Sequence, residues 1–460
     1  MSLPNTRHGA AAIASVLQKE KSIFFCGIGG IHMSSLAHIA KLRGFTVSGS
    51  DRNPSPLTRR LEKERIPISY RHDAENLGDA GVFVYTVAIS PDNPEYREAV
   101  RRGLFLVSRA DFLGYIMSDY QNRVGVSGSH GKSTTVSMLS HLALACGLDP
   151  TVVSGAEYAE LGGAYRIGGR QNFIFEACEY MDNFLSFCPT VAVILNVEFD
   201  HGDYFADLDA IRASFRRYAE LTLEAGGTVL VNADDPSAQK ALEGLPCRTF
   251  GIREEADWRA RAVTLRDGRP AFEIVSPDKT VCHASLSVPG EHNVYNALAA
   301  FASCELCGGD REKAAAALSG FEGAKRRMEF KKTVNGADVI EDYAHHPTEI
   351  AATLRAVKEA GYRRVICAFQ PHTYSRTAEL FDGFAAALSG ADEVCLLPIY
   401  AARETDTLGV SSEKLAEAIP GATAYPSFEA LARHLSTVLT AGDALLVMGA
   451  GDVIRLTDLL

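Results

Sequence analysis

The chain has little of what marks a nucleic-acid-binding or membrane protein. It carries 57 acidic and 46 basic residues, a net charge of −11. This charge argues against general binding to nucleic acid or an anionic membrane, but it is compatible with a basic pocket at one place on the surface. No apolar run approaches the roughly 20 residues needed to span a bilayer. Residues 1–6 lack a basic stretch followed by an apolar core, so we expect no signal peptide and a cytoplasmic location.

Cysteine is present without a metal-binding pattern. Ten cysteines are scattered along the chain, and the close pair Cys304 and Cys307 lies in an alanine-rich helical pattern. Because no second pair is nearby, this spacing does not predict a zinc site. Buried thiols in a reducing compartment are the better interpretation, and a chain of 460 residues folds around a large core without disulfides.

No solenoid repeat or low-complexity linker divides the chain. Short apolar runs alternate with helical patterns in three successive blocks, which is typical of parallel sheets covered by helices on both faces. We therefore predict an α/β protein of three domains, residues 1–121, 122–321 and 322–460. The first and third are expected to be Rossmann-like, and the central one a phosphate-loop parallel sheet with a β-rich insertion at about 259–288. Asp267-Gly268 and Asn335-Gly336 predict tight hairpins.

The most informative motif is an apolar run that reaches a glycine-broken loop ending in Gly131, Lys132 and Ser133, with helix-forming residues after it. Glycines let backbone N–H groups turn inward around phosphate oxygens, and the helix N-terminus adds a partial positive charge. Lys132 can reach the β- and γ-phosphates of a nucleotide, and the Ser133 hydroxyl can bind Mg²⁺. Since Val126 occupies the usual place of the first glycine, a chance turn is the alternative.

The N-terminal turn carries a weaker signal. Gly27 and Gly29 follow a short strand, but His32 stands where a dinucleotide-binding turn has its third glycine. Asp51, near the end of the second strand, offers a carboxylate to a ribose hydroxyl. The pattern predicts a nucleotide-type ligand and leaves NAD and a UDP-sugar both open.

Metal ligands are expected beside the phosphate loop. Glu176 ends one apolar strand and His201 follows another, and ligands gather at the carboxyl ends of strands in an open α/β sheet. With Ser133 they could hold Mg²⁺ on a triphosphate, and Glu176 is the stronger candidate because Mg²⁺ prefers oxygen. The alternative is that Glu176 pairs with an arginine and His201 caps a loop.

Two further groups suit a nucleotide and an anionic substrate. Asn293 and Asn296 share a helix face, where carboxamides can read a base edge, unless Asn293 is only an N-cap. The basic run at 325–327 could meet phosphate. The strand-end loops at 341–347 and 369–376 are dense in His, Tyr and Arg, although adjacent histidines more often serve packing and capping.

Taken in chain order, these motifs resemble the Mur ligase family along nearly the whole chain, and within it the branch that adds L-alanine. Each motif alone is modest evidence for the family, but six motifs in the same order over 460 residues are specific to it. They are Gly27-Ile28-Gly29-Gly30-Ile31-His32-Met33-Ser34, Gly128-Ser129-His130-Gly131-Lys132-Ser133-Thr134, Asn196-Val197-Glu198-Phe199-Asp200-His201, His292-Asn293-Val294-Tyr295-Asn296, Asp342-Tyr343-Ala344-His345-His346-Pro347-Thr348-Glu349 and Phe369-Gln370-Pro371-His372.

The resemblance implies a UDP-sugar-binding domain, an ATP-binding domain and an amino-acid-binding domain. It implies an ATP-dependent ligase that joins L-alanine to the lactyl carboxylate of UDP-N-acetylmuramate through an acyl phosphate, in peptidoglycan precursor synthesis, with Mg²⁺ as cofactor. It also implies small-molecule substrates, no nucleic-acid or membrane partner, and a monomer or weak dimer.

The family's site residues carry over by position. ATP binding is implied for Gly128, Ser129, His130, Gly131, Lys132, Ser133, Thr134, Asn293, Asn296, Arg326 and Asp342. UDP-sugar binding is implied for Gly27, Gly29, Gly30, Ser34 and Asp51. Metal binding is implied for Ser133, Glu176 and His201, and catalysis for Lys132, His201, Tyr343, His345 and Arg376.

Three departures from the family pattern matter. The segment after Glu176 differs from the frequent family sequence, which leaves the roles of Glu179 and Asp182 open. Thr373 stands where an arginine is frequent, so one carboxylate or phosphate contact is missing or supplied elsewhere. Residues 214–217 hold no lysine, where several sister ligases use a modified lysine as a Mg²⁺ bridge, and this agrees with the alanine-adding branch.

Three rival functions are open. A sister ligase would join another amino acid or a preformed peptide to the same UDP-sugar. An NAD-dependent oxidoreductase could be built on the first block, but the missing third glycine and the phosphate loop count against it. A nucleotide-gated binding protein without ligase activity would not need Lys132, Glu176 and His201.

We predict that Lys132→Ala leaves the fold intact but removes turnover, because the substituted side chain no longer reaches the β- and γ-phosphates. Circular dichroism checks the fold, and a phosphate-release assay checks turnover. Activity within about tenfold of the wild type, which corresponds to less than about 1.4 kcal/mol of barrier, contradicts the role of Lys132.

Overall fold

Each predicted block has a sheet of its own in the computed structural model, which describes residues 3–402 and 404–460. The α/β fold class is confirmed, because helices alternate with mainly parallel strands in all three sheets. The domain boundaries given above stay predictions. Within the described ranges, no helix is both long and apolar enough to cross a membrane.

The first sheet has five parallel strands in the order β3-β2-β1-β4-β5. This order is the one found in dinucleotide-binding folds, where ligands bind at the carboxyl ends of the strands. The elements are α1 (Ala10–Lys19), β1 (Ser22–Cys26), α2 (Ile31–Leu42), β2 (Thr46–Ser50), α3 (Pro56–Lys63), β3 (Ile68–Ser69), β4 (Val82–Tyr85), α4 (Pro94–Arg102), β5 (Phe105–Ser108) and α5 (Arg109–Met117).

The second sheet has ten strands, of which β6, β7 and β9–β13 run parallel, and an antiparallel extension at its far edge forms the predicted insertion. The elements are β6 (Asn122–Ser127), α6 (Lys132–Ala145), β7 (Thr151–Tyr158), β8 (Gly163–Arg166), β9 (Asn172–Glu176), β10 (Val191–Ile194), α7 (Leu208–Glu224), β11 (Thr228–Asn232), α8 (Pro236–Ala241), β12 (Arg248–Gly251), β13 (Trp258–Arg266), β14 (Arg269–Val275), β15 (Val281–Ser285), α9 (His292–Leu306) and α10 (Arg311–Ala317).

The third sheet has six strands in the order β16-β17-β21-β18-β19-β20, parallel except for the hairpin of β16 and β17. The elements are β16 (Glu329–Val334), β17 (Ala337–Asp342), α11 (Pro347–Glu359), β18 (Arg364–Phe369), α12 (Tyr374–Glu379), α13 (Phe381–Leu388), β19 (Glu393–Leu396), α14 (Ser412–Glu417), β20 (Thr423–Ala424), α15 (Phe428–Val438), β21 (Asp443–Met448) and α16 (Arg455–Leu459).

Both predicted hairpins are confirmed. Asp267 and Gly268 join β13 to β14 with φ of 51° and 72°, and Asn335 and Gly336 join β16 to β17 with φ of 53° and 81°. Two successive positive φ values give the turn whose twist matches that of the flanking strands, and Asx-Gly pairs adopt it at least cost. The local sequence therefore determines these two connections.

The register of the second sheet places the predicted site residues together. Val126 of β6 pairs with Glu176 of β9, and Ser127 of β6 pairs with Ile194 of β10. The carboxyl ends of three parallel strands thus meet at the point where the loop after β6 begins. This is the edge where an open α/β sheet binds its ligands.

The first two domains share one apolar core cluster, whereas the third domain has separate ones. One cluster continues from the first sheet into the second, and it includes Phe112 from α5 together with Phe173, Phe175 and Phe184. The third sheet has clusters of its own on its two faces. The first two domains therefore share apolar packing, whereas the contacts of the third domain described below are hydrogen bonds and ion pairs.

Candidate functional site

A cleft of about 760 Å³ lies where residues of all three domains meet. Ile31 of the first domain, the phosphate loop of the second and Tyr343 of the third line it. Most of the predicted catalytic and metal-binding residues line the same cleft, namely Lys132, Ser133, Glu176, His201, Tyr343 and His345. Residues far apart in sequence are thus brought to one place.

The phosphate loop has the predicted strand–loop–helix form. β6 ends at Ser127 and α6 begins at Lys132, and the glycines between them, Gly128 and Gly131, have φ of 139° and 83°. A Cβ at Gly131 would lie 2.7 Å from the Asn296 side-chain oxygen, so both the backbone angle and the space require glycine. The loop can turn its N–H groups inward only because these two residues lack side chains.

Lys132 is held by a buried carboxylate that the sequence left without a role. Its ammonium donates to both oxygens of Glu179, at 3.0 and 3.1 Å, and to the backbone oxygens of Gly128 and Ser129. Burial raises the pKa of Glu179, but Lys132 and His201 together outweigh this effect and lower it. Removing Lys132 alone would leave Glu179 buried and unpaired, so Lys132→Ala needs the double variant with Glu179→Gln as its stability control.

Ser133 and Glu176 offer oxygens that suit Mg²⁺. Glu176 Oε1 accepts hydrogen bonds from the Gly155 N–H and from the Ser154 hydroxyl, at 3.2 Å. Among the residues that the structure describes, no arginine forms a hydrogen bond or an ion pair with Glu176, so the alternative of an arginine partner gains no support there. A hydroxyl and an oriented carboxylate in one cleft are the donor set that a hard divalent cation takes, and the residues present therefore fit the ion.

His201 and Arg376 are connected through Asp200. The Arg376 guanidinium donates to Asp200 Oδ1 from Nε at 3.1 Å and from Nη2 at 2.8 Å. His201 Nε2 lies 3.8 Å from Asp200 Oδ2 and 3.7 Å from Glu179 Oε1. Burial raises the pKa of Asp200, but His201 and Arg376 hold it well below its usual range. Asp200 belongs to one of the six motifs, but nothing near it in the sequence indicates its partner Arg376, which lies 176 residues away.

His130 of the phosphate loop makes a second connection to the third domain. Its Nε2 lies 3.2 Å from Glu198 Oε2, and its Nδ1 lies 3.2 Å from Glu349 Oε1 at the start of α11. Burial lowers the pKa of His130, but Glu349 and Glu198 outweigh this effect and raise it to about 10. His130 is therefore a cation between two carboxylates at neutral pH.

Glu349 also fixes the predicted catalytic histidine. Its Oε2 lies 3.2 Å from His345 Nδ1 and accepts the His345 backbone N–H at 3.0 Å. The His346 ring packs against that of His130 at a tilt of 38°, with ring centroids 4.7 Å apart, and burial together with the charge of His130 lowers the pKa of His346 to about 4. Adjacent histidines are expected to serve packing and capping, and the His346 side chain does cap α11.

A second cavity, of about 200 Å³, adjoins the phosphate loop and is lined by Asn293 and Asn296. Asn293 is in the first turn of α9 and is not its N-cap, since Glu291 holds that position. Asn296 donates to Asn293 Oδ1 at 3.0 Å and accepts from Thr135 Oγ1 at 3.1 Å. The two carboxamides are thus fixed in orientation, as a base-reading pair requires.

The third domain presents its basic run differently from what the sequence predicted. Arg326 donates to the backbone oxygens of Gly449 and Gly451, at 2.6 and 3.2 Å, whereas Arg327 Nη2 lies 3.5 Å from the Ser133 hydroxyl. Both guanidinium groups stack on Tyr343, at 4.8 and 5.0 Å. Arg327 lines both cavities. The sequence placed it in the basic run but did not single it out, because adjacent arginines look equivalent in one dimension.

Asp342 lines the smaller cavity but is already engaged. Its carboxylate accepts the backbone N–H groups of Met328 and Ala344, each at 2.8 Å. Burial raises its pKa. Asp342 therefore orders the loop that carries Arg327, and its predicted contact with the nucleotide stays a prediction.

A third cavity, of about 860 Å³, lies in the first domain beside Gly27 and Asp51. Asp51 Oδ2 accepts the Gly29 N–H at 2.8 Å, and a Cβ at Gly29 would lie 2.8 Å from that oxygen. Gly30 is the N-cap of α2. Ser34 is buried, its hydroxyl donates to the backbone oxygen of Ile31, and it is not among the residues that line this cavity.

The same cavity contains residues that the sequence analysis missed. His72 lines it, and its Nδ1 lies 2.8 Å from Oε2 of the fully buried Glu95. Glu95 Oε2 also accepts the Ser50 hydroxyl at 2.6 Å. A carboxylate with these donors holds His72 in one orientation at the edge of the cavity.

Two residues that line the large cleft, His201 and Arg326, have positive φ of 60° and 57°. Residues other than glycine adopt this region at a cost of about 1–3 kcal/mol. Thr373, at the start of α12, has a φ of 66°, and this helix carries Arg376.

Known protein families match this chain in each of its three domains. Three family models match: the Mur ligase family catalytic domain at residues 22–121, the Mur ligase middle domain at 126–304, and the Mur ligase glutamate ligase domain at 326–451. The UDP-N-acetylmuramate–L-alanine ligase of Caldanaerobacter subterraneus subsp. tengcongensis is 44% identical over 95% of this chain and 96% of its own.

Two solved structures are similar over nearly their whole length. The UDP-N-acetylmuramate–alanine ligase of Thermotoga maritima has a TM-score of 0.79 at 27% identity, covering 95% of this chain and 98% of that one. A murein peptide ligase of Psychrobacter arcticus has a TM-score of 0.71 at 26% identity, with the same coverage.

We predict that His130→Asn lowers the melting temperature and that the difference from the wild type shrinks as the pH rises from about 7 to about 10. The pKa of His130 in the folded protein, about 10, lies above the 6.5 of an ordinary histidine. Its charge therefore stabilises the fold fully below about pH 6.5, and this contribution is lost as the pH rises through the folded pKa. Thermal unfolding at several pH values measures the difference.

His283→Asn is the matched control, since His283 is largely exposed and its nearest carboxylate is 4.0 Å away. This variant is expected to have the same melting temperature as the wild type at each pH in this range. A His130→Asn difference that stays constant or grows with pH contradicts a charged His130 between Glu198 and Glu349.

Proposed function

This chain belongs to the Mur ligase family, and on that premise we propose that it joins L-alanine to the lactyl carboxylate of UDP-N-acetylmuramate in peptidoglycan precursor synthesis, with ATP converted to ADP and phosphate. The observation that carries the proposal is the single cleft shared by the phosphate loop and the third-domain loops. An L-alanine ligase from Caldanaerobacter, 44% identical over 95% of the chain, supports this substrate pair over those of the sister ligases.

The chemistry requires an activated carboxylate. A carboxylate oxygen is a poor leaving group, whereas phosphate is a good one, so the lactyl carboxylate attacks the γ-phosphorus of ATP and forms an acyl phosphate. The alanine amino group then attacks the acyl carbon, and phosphate leaves. Lys132, which the loop places at the carboxyl end of β6, holds the β- and γ-phosphates and offsets the repulsion between the two anions.

Mg²⁺ is part of the proposal, with Ser133 and Glu176 as its ligands and His201 as the ligand of a second ion. Bound there, it would neutralise charge on the phosphates and orient them. The cleft contains Glu176, Glu179 and Asp200 around Lys132. These carboxylates oppose a polyphosphate, and bound Mg²⁺ would offset that repulsion together with Lys132 and Arg327.

The third domain supplies the residues that face the amino acid and the acyl phosphate. Tyr343 and His345 line the cleft, and Arg376 reaches Asp200 beside His201. Arg327 is the third-domain cation nearest to the phosphate loop among those described, 3.5 Å from Ser133. Residues of the middle and third domains around this cleft would exclude water that hydrolyses the intermediate.

The remaining assignments follow from the same proposal. Residues 1–121 bind the UDP-sugar, with Gly27, Gly29, Gly30, Ser34 and Asp51 as candidates, residues 122–321 bind ATP, and residues 322–460 bind the amino acid. Asn293 and Asn296 contact adenine. We further propose a cytoplasmic monomer or weak dimer that acts on small molecules.

Phosphate release from ATP and Mg²⁺ with UDP-N-acetylmuramate, measured with and without L-alanine, tests the function. Release that needs both substrates, with an amide product of the expected mass, is the predicted result. Glycine, L-serine and the tripeptide L-alanyl-γ-D-glutamyl-meso-diaminopimelate are the competing amines. Turnover with the tripeptide in preference to L-alanine would identify a peptide ligase, the class of the Psychrobacter relative, and would reject the proposal.

His201→Ala is expected to lower the rate, and added Mg²⁺ is expected to restore part of it, because a weakened ion site fills at a higher concentration. A Mg²⁺ titration of the initial rate measures the recovery. Lys132→Ala is the control, since more Mg²⁺ does not replace its ammonium. Failure of Mg²⁺ to improve His201→Ala means that His201 does not act through a metal.

A further inference from the structure

Two cysteine sulfurs of the middle domain lie 3.9 Å apart, at the C-terminal ends of α6 and α9. Cys146 is the C-cap of α6 and is partly exposed, whereas Cys304 lies in the last turn of α9 and is fully buried. A disulfide has about 2.05 Å between its sulfurs. The two thiols are therefore in contact, and a shift of about 2 Å would bond them.

The same helices are joined at their other ends, where the nucleotide site lies. Thr135 in the first turn of α6 donates to Asn296 near the start of α9, at 3.1 Å. Lys132 begins α6 and Asn293 is in the first turn of α9. The pair of packed helices therefore connects the two cysteines to the phosphate loop and to the cavity beside it.

The two thiols differ in reactivity. The hydrogen bond from Cys304 lowers the pKa of Cys146 to about 7, against the effect of burial. The hydrogen bond to Cys146 and burial raise the pKa of Cys304 above its usual range, and burial raises that of Cys307 to about 12. Thiolates are the nucleophiles, so Cys146, which is partly exposed and the most acidic of the three, would react with an oxidant before either of its neighbours.

We propose that Cys146 and Cys304 form a reversible disulfide, which makes this pair a modification site for low-molecular-weight disulfides. The Cys146 thiolate attacks one sulfur of the small disulfide and releases one thiolate. Cys304 then gives its proton to solvent, attacks the Cys146 sulfur and expels the second thiolate. The two protein thiols lose two electrons and two protons in total, and the small disulfide is reduced to two thiols.

Bond formation would move the end of α6 more than that of α9. The Cys304 sulfur packs against the backbone of Gly309, where a Cβ would lie only 2.4 Å from it. Cys146 is at a helix end and hydrogen-bonds to the backbone oxygen of Asp310 at 3.5 Å, which is a weaker restraint. The displacement passes along α6 toward Lys132, so we expect the disulfide to weaken ATP binding, a consequence that rests on the proposed function.

Peptide mapping tests the bond without any substrate. The full-length protein is incubated with excess oxidised glutathione, its free thiols are alkylated, and a non-reduced digest is analysed by mass spectrometry. We expect one cross-linked peptide pair with Cys146 and Cys304, reversed by a dithiol reductant and absent from Cys146→Ser and Cys304→Ser. Cys307→Ser is the matched control and should still form the bond. A stable glutathione adduct on Cys146, or a Cys304–Cys307 bond, overturns the proposal.

Nucleotide binding tests the consequence. Titration with a fluorescent ATP analogue should show about fivefold weaker binding to the oxidised protein, the lower end of typical coupling between sites. Cys304→Ser treated in the same way should bind as the reduced protein does. Equal affinity in the two redox states overturns the connection to the nucleotide site. Absence of binding in both states contradicts the proposed function instead, while the mapping result stands.

Discussion

The largely buried ammonium of Lys132 is the constraint on which the cleft depends, because a charge mostly removed from water needs an opposite charge in contact with it. Glu179 supplies that charge, His201 lies next to Glu179, and Asp200 lies between His201 and Arg376. Acidic and basic groups thus alternate from the phosphate loop to the third domain. A polyphosphate that engages Lys132 competes with Glu179 for the same ammonium, which is a physical reason for the site to need metal ions.

Ion pairs link the third domain to the middle domain at this cleft. The first two domains share an apolar cluster, whereas Arg376 meets Asp200, and Glu349 meets His130, across the boundary of the second and third domains. Such contacts depend on protonation and on bound ions more than apolar packing does. Charged ligands in the cleft can therefore act on the contacts between these two domains.

The structural features that the sequence predicted correctly depend on interactions between neighbouring residues. The two Asx-Gly hairpins, the strand before the phosphate loop and the helix after it depend on neighbours in sequence, and each was found where it was predicted. The glycine at 131 is similar, since its positive φ is a local requirement, although the Asn296 oxygen that also excludes a side chain there lies far along the chain. The family resemblance extended these local signals to a three-domain enzyme.

The sequence by itself determined the α/β class, the phosphate loop and the set of motifs that identify the family, because periodicity, glycine and short motifs act over a few residues. Only the tertiary structure decided which charges meet. It paired Lys132 with Glu179 and placed Arg327 rather than Arg326 beside Ser133. These outcomes depend on strand register and domain packing over separations of up to 194 residues, and no pattern within a motif encodes them.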